Sequence, residues 1–238
     1  MTPKVLVSVR SMNVLVNPFA AVGFLCAITL INDGSFAAKP PIREAPRVLR
    51  GTDHGIGSQI PDLEFTDLNG AVGRLSDLSE KSPLVILITG TGCPLCQRYA
   101  PSLAKLEKDY HEKGVQFLFV NPNKAEKLTR IQKAVKTHGF TASYVRDTNH
   151  AIIRALAAKT TTEAFVLDSH RKLVYRGAVD DQYGFGYALN APRQRYLRNA
   201  LDAVLQGRSP GISATSSPGC ELWIDDERPV TTGADSGE

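Results

Sequence analysis

Leu84-Val85-Ile86-Leu87-Ile88-Thr89-Gly90-Thr91-Gly92-Cys93-Pro94-Leu95-Cys96-Gln97-Arg98-Tyr99-Ala100-Pro101 is the stretch that decides the fold. Its first six residues are an apolar, β-branched run, long enough for one buried strand. Thr89-Gly90-Thr91-Gly92 breaks the run. Beyond the cysteines, Tyr99, Leu103, Leu106 and Tyr110 recur at three- and four-residue steps, which predicts one apolar face of a helix. The two cysteines therefore stand where a strand hands over to a helix N-terminus. Unpaired N–H groups and the positive dipole end favour an anion there, a thiolate included. Pro94 suits the first helical position, where its missing N–H costs nothing.

Two intervening residues put both sulfurs within disulfide reach in one helical turn. The first thiolate can attack a disulfide, and the second can resolve the mixed product. Half of a zinc site and a pair of inert cysteines are the competing readings. Zinc needs further soft ligands at suitable spacing, and the chain has no second Cys-x-x-Cys and no His-x-x-x-His. Covalent haem attachment needs His after the second cysteine, and position 97 is Gln. No metal and no cofactor is implied.

At this point the chain resembles the thioredoxin-like superfamily. Ala100-Pro101 falls where that family often carries an Ala-Pro pair that bends the first helix. Residues 59–70, Gln59 to Gly70, with Arg74-Leu75-Ser76-Asp77-Leu78, look like the entry segment of exported redoxins and of the alkyl-hydroperoxide-reductase-like branch. Glu163-Ala164-Phe165-Val166-Leu167-Asp168 and Lys172-Leu173-Val174-Tyr175-Arg176-Gly177 look like the last two strands. The resemblance covers about residues 57–208. It implies an α/β, thioredoxin-like fold: a central mixed sheet flanked by helices. It also implies that Cys93 is the exposed nucleophile and Cys96 the resolving thiol.

The element pattern agrees. Strands are expected near 63–66, 84–90, 115–120, 164–168 and 172–177, and helices over 94–112, 124–138, 149–158 and 192–206. Strands alternating with helices imply a layered α/β sheet. About 150 residues, 58–208, suffice for one domain with a proper core. Residues 38–57, rich in Pro, Arg and Gly, read as a linker. Residues 209–238 turn to Ser, Pro, Gly and acidic residues and read as a mobile tail.

The N-terminus bears on the compartment. Lys4 and Arg10 precede a mostly apolar stretch over about 14–31, and small residues follow at Ser35-Phe36-Ala37-Ala38. This is the layout of a secretory signal over residues 1–37. A retained membrane anchor is the alternative, although the stretch is short for one and Asn17-Pro18 interrupts it. Loss of Lys4, Arg10 and Asp33 takes the formal charge from +4 to +3. No basic run with interleaved aromatics supports nucleic-acid binding. The expected location is the periplasm or the cell exterior. There a dithiol is either held oxidised or re-reduced by a partner.

Several residues near the dithiol are candidates for tuning or substrate binding. Arg98 is placed to lower a thiol pKa or to hold an anionic substrate; a solvated helix residue is the alternative. Thioredoxin-like proteins usually carry a cis-proline beside the dithiol. Here that turn reads Thr160-Thr161-Thr162-Glu163, with Thr162 at the proline position. A cis bond to Thr costs about 3 kcal/mol, so trans is expected. The family's buried acid belongs in the strand before the motif, which holds none, and Glu163 is the substitute on offer. Gly92 replaces the usual Trp.

Cys220 is odd in number once Cys26 is removed with the signal. It lies in Ser217-Pro218-Gly219-Cys220-Glu221-Leu222-Trp223. Leu222 and Trp223 offer an apolar handle for a tail folded back on the dithiol, with Cys220 as a third redox thiol. An incidental cysteine in a mobile tail is the alternative.

Three functions compete. The leading one is thiol–disulfide exchange with protein or small-molecule disulfides, coupled to a redox partner. The second is a thiol peroxidase, an antioxidant. Peroxidatic sites resemble Pro-x-x-x-Thr/Ser-x-x-Cys, and counting back from Cys93 those places hold Gly90 and Ile86; from Cys96 they hold Cys93 and Thr89. The third is a Cu(I)-binding module, but copper-delivery relatives of this fold space their cysteines by three and add a His.

Overall fold

A computed structural model describes residues 44–224. The expected signal segment, 1–37, lies outside the described residues, as do 38–43 and 225–238.

A five-stranded sheet runs through the centre in the order β5-β4-β3-β6-β7. β3 (Leu84–Ile88) pairs in parallel with β4 (Gln116–Asn121), and β4 in parallel with β5 (Ser143–Arg146). On its other side β3 pairs antiparallel with β6 (Ala164–Leu167), which turns back into antiparallel β7 (Leu173–Gly177). A short antiparallel pair, β1 (Glu64–Thr66) and β2 (Val72–Arg74), precedes the sheet. A two-residue pair, β8 (Tyr183–Gly184) and β9 (Tyr187–Ala188), follows it.

The central strand is apolar throughout because both of its faces are covered. Val85 and Leu87 point into a core with Tyr99, Leu103, Leu106 and Tyr110 of α2 (Pro94–His111), Ile131 of α3 (Leu128–His138), and Leu197 and Leu201 of α5 (Tyr196–Leu205). Leu84, Ile86 and Ile88 point the other way, towards Leu75 of α1 (Leu75–Ser79) and Ile152 and Ile153 of α4 (Ala151–Ala155). The two-residue alternation of a strand thus divides one run between two helical layers. This is the α/β thioredoxin-like fold.

The elements differ from the expectation in places. α3 starts at Leu128, not 124, because Asn121 and Asn123 accept from the N–H groups two residues on (both 2.9 Å) and hold 121–126 as a loop. α4 stops at Ala155, and Ala157 has φ 47°. The edge strand β5 was not expected. Only Tyr144 and Val145 of its four residues are buried, too few to register as an apolar run.

The described parts of the two segments expected to be loose, 44–57 and 209–224, are paired instead. Leu49 N–H donates to Ala214 O (2.9 Å). Residues 213–215 run parallel to the outer edge of β7, with Arg176 N–H on Ser213 O and Thr215 N–H on Arg176 O (both 3.0 Å). Gly177, at φ 137°, permits this: a side chain there would meet Thr215 Oγ1 at 2.1 Å. An exposed sheet edge carries unmade hydrogen bonds, and these segments cover it.

Candidate active site

The loop between β3 and α2 is fixed from below. Thr89 N–H donates to Val120 O (2.8 Å) at the end of β4. Glu126, almost fully buried, then collects the donors of Thr91 and Gly92. Its carboxylate accepts from Thr91 N–H (3.1 Å), Thr91 Oγ1 (2.8 Å), Gly92 N–H (3.0 Å) and Asn121 Nδ2 (2.7 Å). Burial alone would raise its pKa, but the bonds from Asn121, Thr91 and Gly92 outweigh it and hold the carboxyl below its ordinary value. Cys93 follows in extended geometry (φ −81°, ψ 119°) as the N-cap of α2, and Pro94 is the first helical residue.

Both sulfurs are reduced and buried, Cys93 4% exposed and Cys96 6%, so Cys93 lacks the exposure that the resemblance implied because the 160–162 turn and Tyr183 pack against it. The Cys96 thiol hydrogen-bonds to the Cys93 sulfur, and this is the main reason that Cys93 is lowered to about 4. Burial opposes the shift. The Thr161 hydroxyl (3.1 Å) and the main-chain N–H groups of Cys96 and Cys220 add to it. Cys96 is pushed well above its ordinary value, by the bond it donates and by burial. One sulfur is thus a stabilised thiolate, and its partner a protonated thiol pointing at it.

The turn at 160–162 forms the facing wall. Thr162 has φ 66°, and no peptide bond is cis among the described residues. The turn is locked onto β3 by Thr162 N–H to Ile88 O (2.8 Å) and Ile88 N–H to Glu163 O (3.0 Å). Thr161 Oγ1 is thereby presented to Cys93, while its oxygen accepts Cys220 N–H (2.8 Å). The tail closes over this turn. Together they border a groove of about 520 Å³ lined by Cys93, Pro122, Ile153, Thr161, Cys220 and Trp223.

Other expected residues fall elsewhere. Glu163 does not stand in for the missing acid. Its carboxylate pairs in the interior with Arg176 of β7 (Nη2 2.6 Å, Nε 3.0 Å) and accepts Lys159 N–H (2.8 Å). Arg98 is exposed and does not line the groove. Trp223 is 67% exposed, so it is Leu222 that packs on the core and anchors the tail. Sequence reasoning missed Glu126. The signal was an acid five residues past Asn121, the last residue of β4, a distance at which a loop can return to the strand end. Tyr183, in the segment after β7, lies edge-on to Tyr99 (4.9 Å between ring centroids) and packs against Cys93, Leu95 and Cys96. Among the described residues no group of three or more His, Cys, Asp or Glu is arranged to hold a metal ion.

A mixed sheet with a Cys-x-x-Cys capping the helix after its central strand defines a thioredoxin-like redox protein. The redoxin family model matches residues 56–188, and the chain belongs to that family. It is 30% identical, over 128 residues, to the thiol-disulfide oxidoreductase ResA of Halalkalibacterium halodurans, a match covering 53% of this chain and 71% of that protein. A second ResA, from Geobacillus thermodenitrificans, is 29% identical over 118 residues, 50% of this chain and 66% of its own length. Among solved structures, a hypothetical protein from Sinorhizobium meliloti superposes with a TM-score of 0.67 at 27% identity, over 77% of this chain and 100% of that one. An uncharacterized conserved protein from Geobacillus kaustophilus gives 0.66, also at 27%, over 77% and 99%.

Proposed function

We propose that this protein is an exported thiol–disulfide oxidoreductase in which Cys93 attacks a substrate disulfide and Cys96 resolves the mixed disulfide. The observation that carries this reading is the asymmetry of the pair. Cys93 is held as a thiolate at a helix N-terminus beside a groove, while Cys96 behind it keeps its proton. A stabilised thiolate is also a good leaving group, so the Cys93–Cys96 disulfide exchanges readily in the reverse direction. The relatives named thiol-disulfide oxidoreductase support the same chemistry.

The groove suits a disulfide-bearing polypeptide segment. Pro122, Ile153, Leu222 and Trp223 offer apolar contacts next to the sulfur, and a small disulfide fits the same space. The exported location rests on the N-terminal signal pattern. Among the described residues no helix is long and apolar enough to cross a membrane. The test is trapping. Cys93→Ser abolishes exchange with a disulfide-bonded peptide, and Cys96→Ser/Cys220→Ser, with no second thiol left, accumulates a mixed disulfide on Cys93. Turnover by Cys93→Ser, or equal trapping by both variants, overturns the assignment.

A further inference from the structure

The tail does more than cover the turn. Residues 217–222 run antiparallel to 159–162, joined by a β-bridge between Thr160 and Glu221. Thr160 Oγ1 donates to Ser217 O (3.1 Å), and Thr162 Oγ1 donates to Pro218 O. Thr161 N–H donates to Cys220 O (2.9 Å), and Leu222 N–H to Lys159 O (2.9 Å). Gly219 is required at the closest approach: a Cβ there would stand 1.8 Å from Thr161 O. This ladder fixes Cys220 against the Thr161 hydroxyl that donates to Cys93. Cys220 and Cys93 border the same groove, burial and the nearby Cys93 thiolate raise the Cys220 pKa, and Cys220 is exposed where Cys96 is buried. Two thiols thus address one nucleophile, one from inside the helix and one from the docked tail.

We propose that Cys220 is a third exchange thiol, which captures Cys93 from the docked tail and forms a Cys93–Cys220 disulfide that Cys96 then opens. The inference rests on the exchange reading above. The steps balance with a substrate disulfide as oxidant. The Cys93 thiolate attacks one substrate sulfur, the substrate S–S bond breaks, and one thiolate leaves. Cys220, giving up its proton to solvent, attacks Cys93 Sγ; the mixed disulfide breaks and the second substrate thiolate leaves. One disulfide has been reduced to two thiols, and Cys93 and Cys220 have been oxidised. Cys96 then loses its proton and attacks Cys93 Sγ, and the departing Cys220 thiolate takes up a proton. The net product is the Cys93–Cys96 disulfide, with Cys220 restored.

The experiment uses Cys96→Ser with oxidised glutathione, read by non-reducing peptide mapping and by counting the glutathione released. The expected product is a Cys93–Cys220 cross-linked peptide with two glutathiones released per chain. Cys96→Ser/Cys220→Ser should instead stop at a Cys93–glutathione adduct with one released. A stable adduct in Cys96→Ser with Cys220 still alkylatable overturns the role of Cys220 and leaves the exchange reading intact. The absence of both adduct and cross-link in either variant overturns both readings. A second variant tests the delivery. Gly219→Val in the Cys96→Ser background should slow cross-linking about tenfold or more by ending the tail's enforced proximity. An unchanged rate overturns the claim that the docked tail positions Cys220.

Discussion

Thr161 places its hydroxyl 3.1 Å from the sulfur of Cys93, 68 residues earlier in the chain, and donates to it. The same oxygen accepts the Cys220 N–H at 2.8 Å. One side chain therefore stabilises the nucleophile and locates the tail. Its position is fixed by Thr162 N–H on Ile88 O, in the strand that launches the dithiol.

Thr161→Val removes that donor and keeps the shape. The Cys93 pKa should rise by about one unit, equivalent to about 1.4 kcal/mol. The reduced pair loses that stabilisation, so its potential should fall by about 30 mV. Thr161→Ser restores the donor and should lie near the wild type in a glutathione-buffered redox titration. Identical potentials for Val and wild type would remove Thr161 from the account.

The pH dependence follows from the direction of the shift. Cys93 is lowered to about 4, so its thiolate persists well below neutrality. The rate of Cys93 alkylation by iodoacetamide should be nearly flat around neutrality and drop as pH falls through about 4. An inflection near the ordinary thiol value would contradict the hydrogen bonds from Cys96 and Thr161.

Glu126→Gln should destabilise the fold by about 2 kcal/mol, because an amide cannot accept from all of the donors the carboxylate serves. Thr91 N–H, Gly92 N–H or Asn121 Nδ2 then faces an NH2 group. Chemical denaturation measures this. Slower disulfide exchange in the variant that remains folded would show that the loop, and not only the sulfurs, sets the geometry.

Glu163→Ala isolates a scaffold role. It leaves Arg176 buried without its carboxylate, a change that costs about 3 to 5 kcal/mol. The Cys93 titration in the folded variant should stay where it was. A displaced titration would return Glu163 to the proton-transfer role once expected of it.

Hydrogen peroxide should oxidise Cys93 no faster than an ordinary low-pKa thiol, because Gly90 and Ile86 stand where a peroxidatic site needs Thr and Pro. Stopped-flow rates orders of magnitude above that would favour the peroxidase reading.

What could be read from the sequence was local or strongly periodic. The run from Leu84 to Ile88, the helical spacing from Tyr99 to Tyr110 and the junction holding Cys93 all depend on neighbours in the chain. The turn at Thr161 and Thr162 came from resemblance to a family. Glu126 was not legible, since its role depends on a loop returning to the end of β4. Glu163 was misplaced for the complementary reason: sequence position set it near the dithiol, but Arg176 on the adjacent strand holds its carboxylate. The tail read as mobile because its composition is polar. Its docking uses main-chain hydrogen bonds and the absence of a side chain at Gly219, neither of which composition reports.

The tail segment laid over Thr161 also sets an order of events in folding. The bond from Cys96 to Cys93 is available as soon as one turn of α2 forms, within a microsecond or so. The share from Thr161 waits for closure across 68 residues, and that from Cys220 for a further 59. Contacts this distant in sequence form late, because each closure is opposed by chain entropy. The sulfur of Cys93 therefore matures in stages, and residues around Cys220 complete the surroundings of a thiol synthesised more than a hundred residues before them.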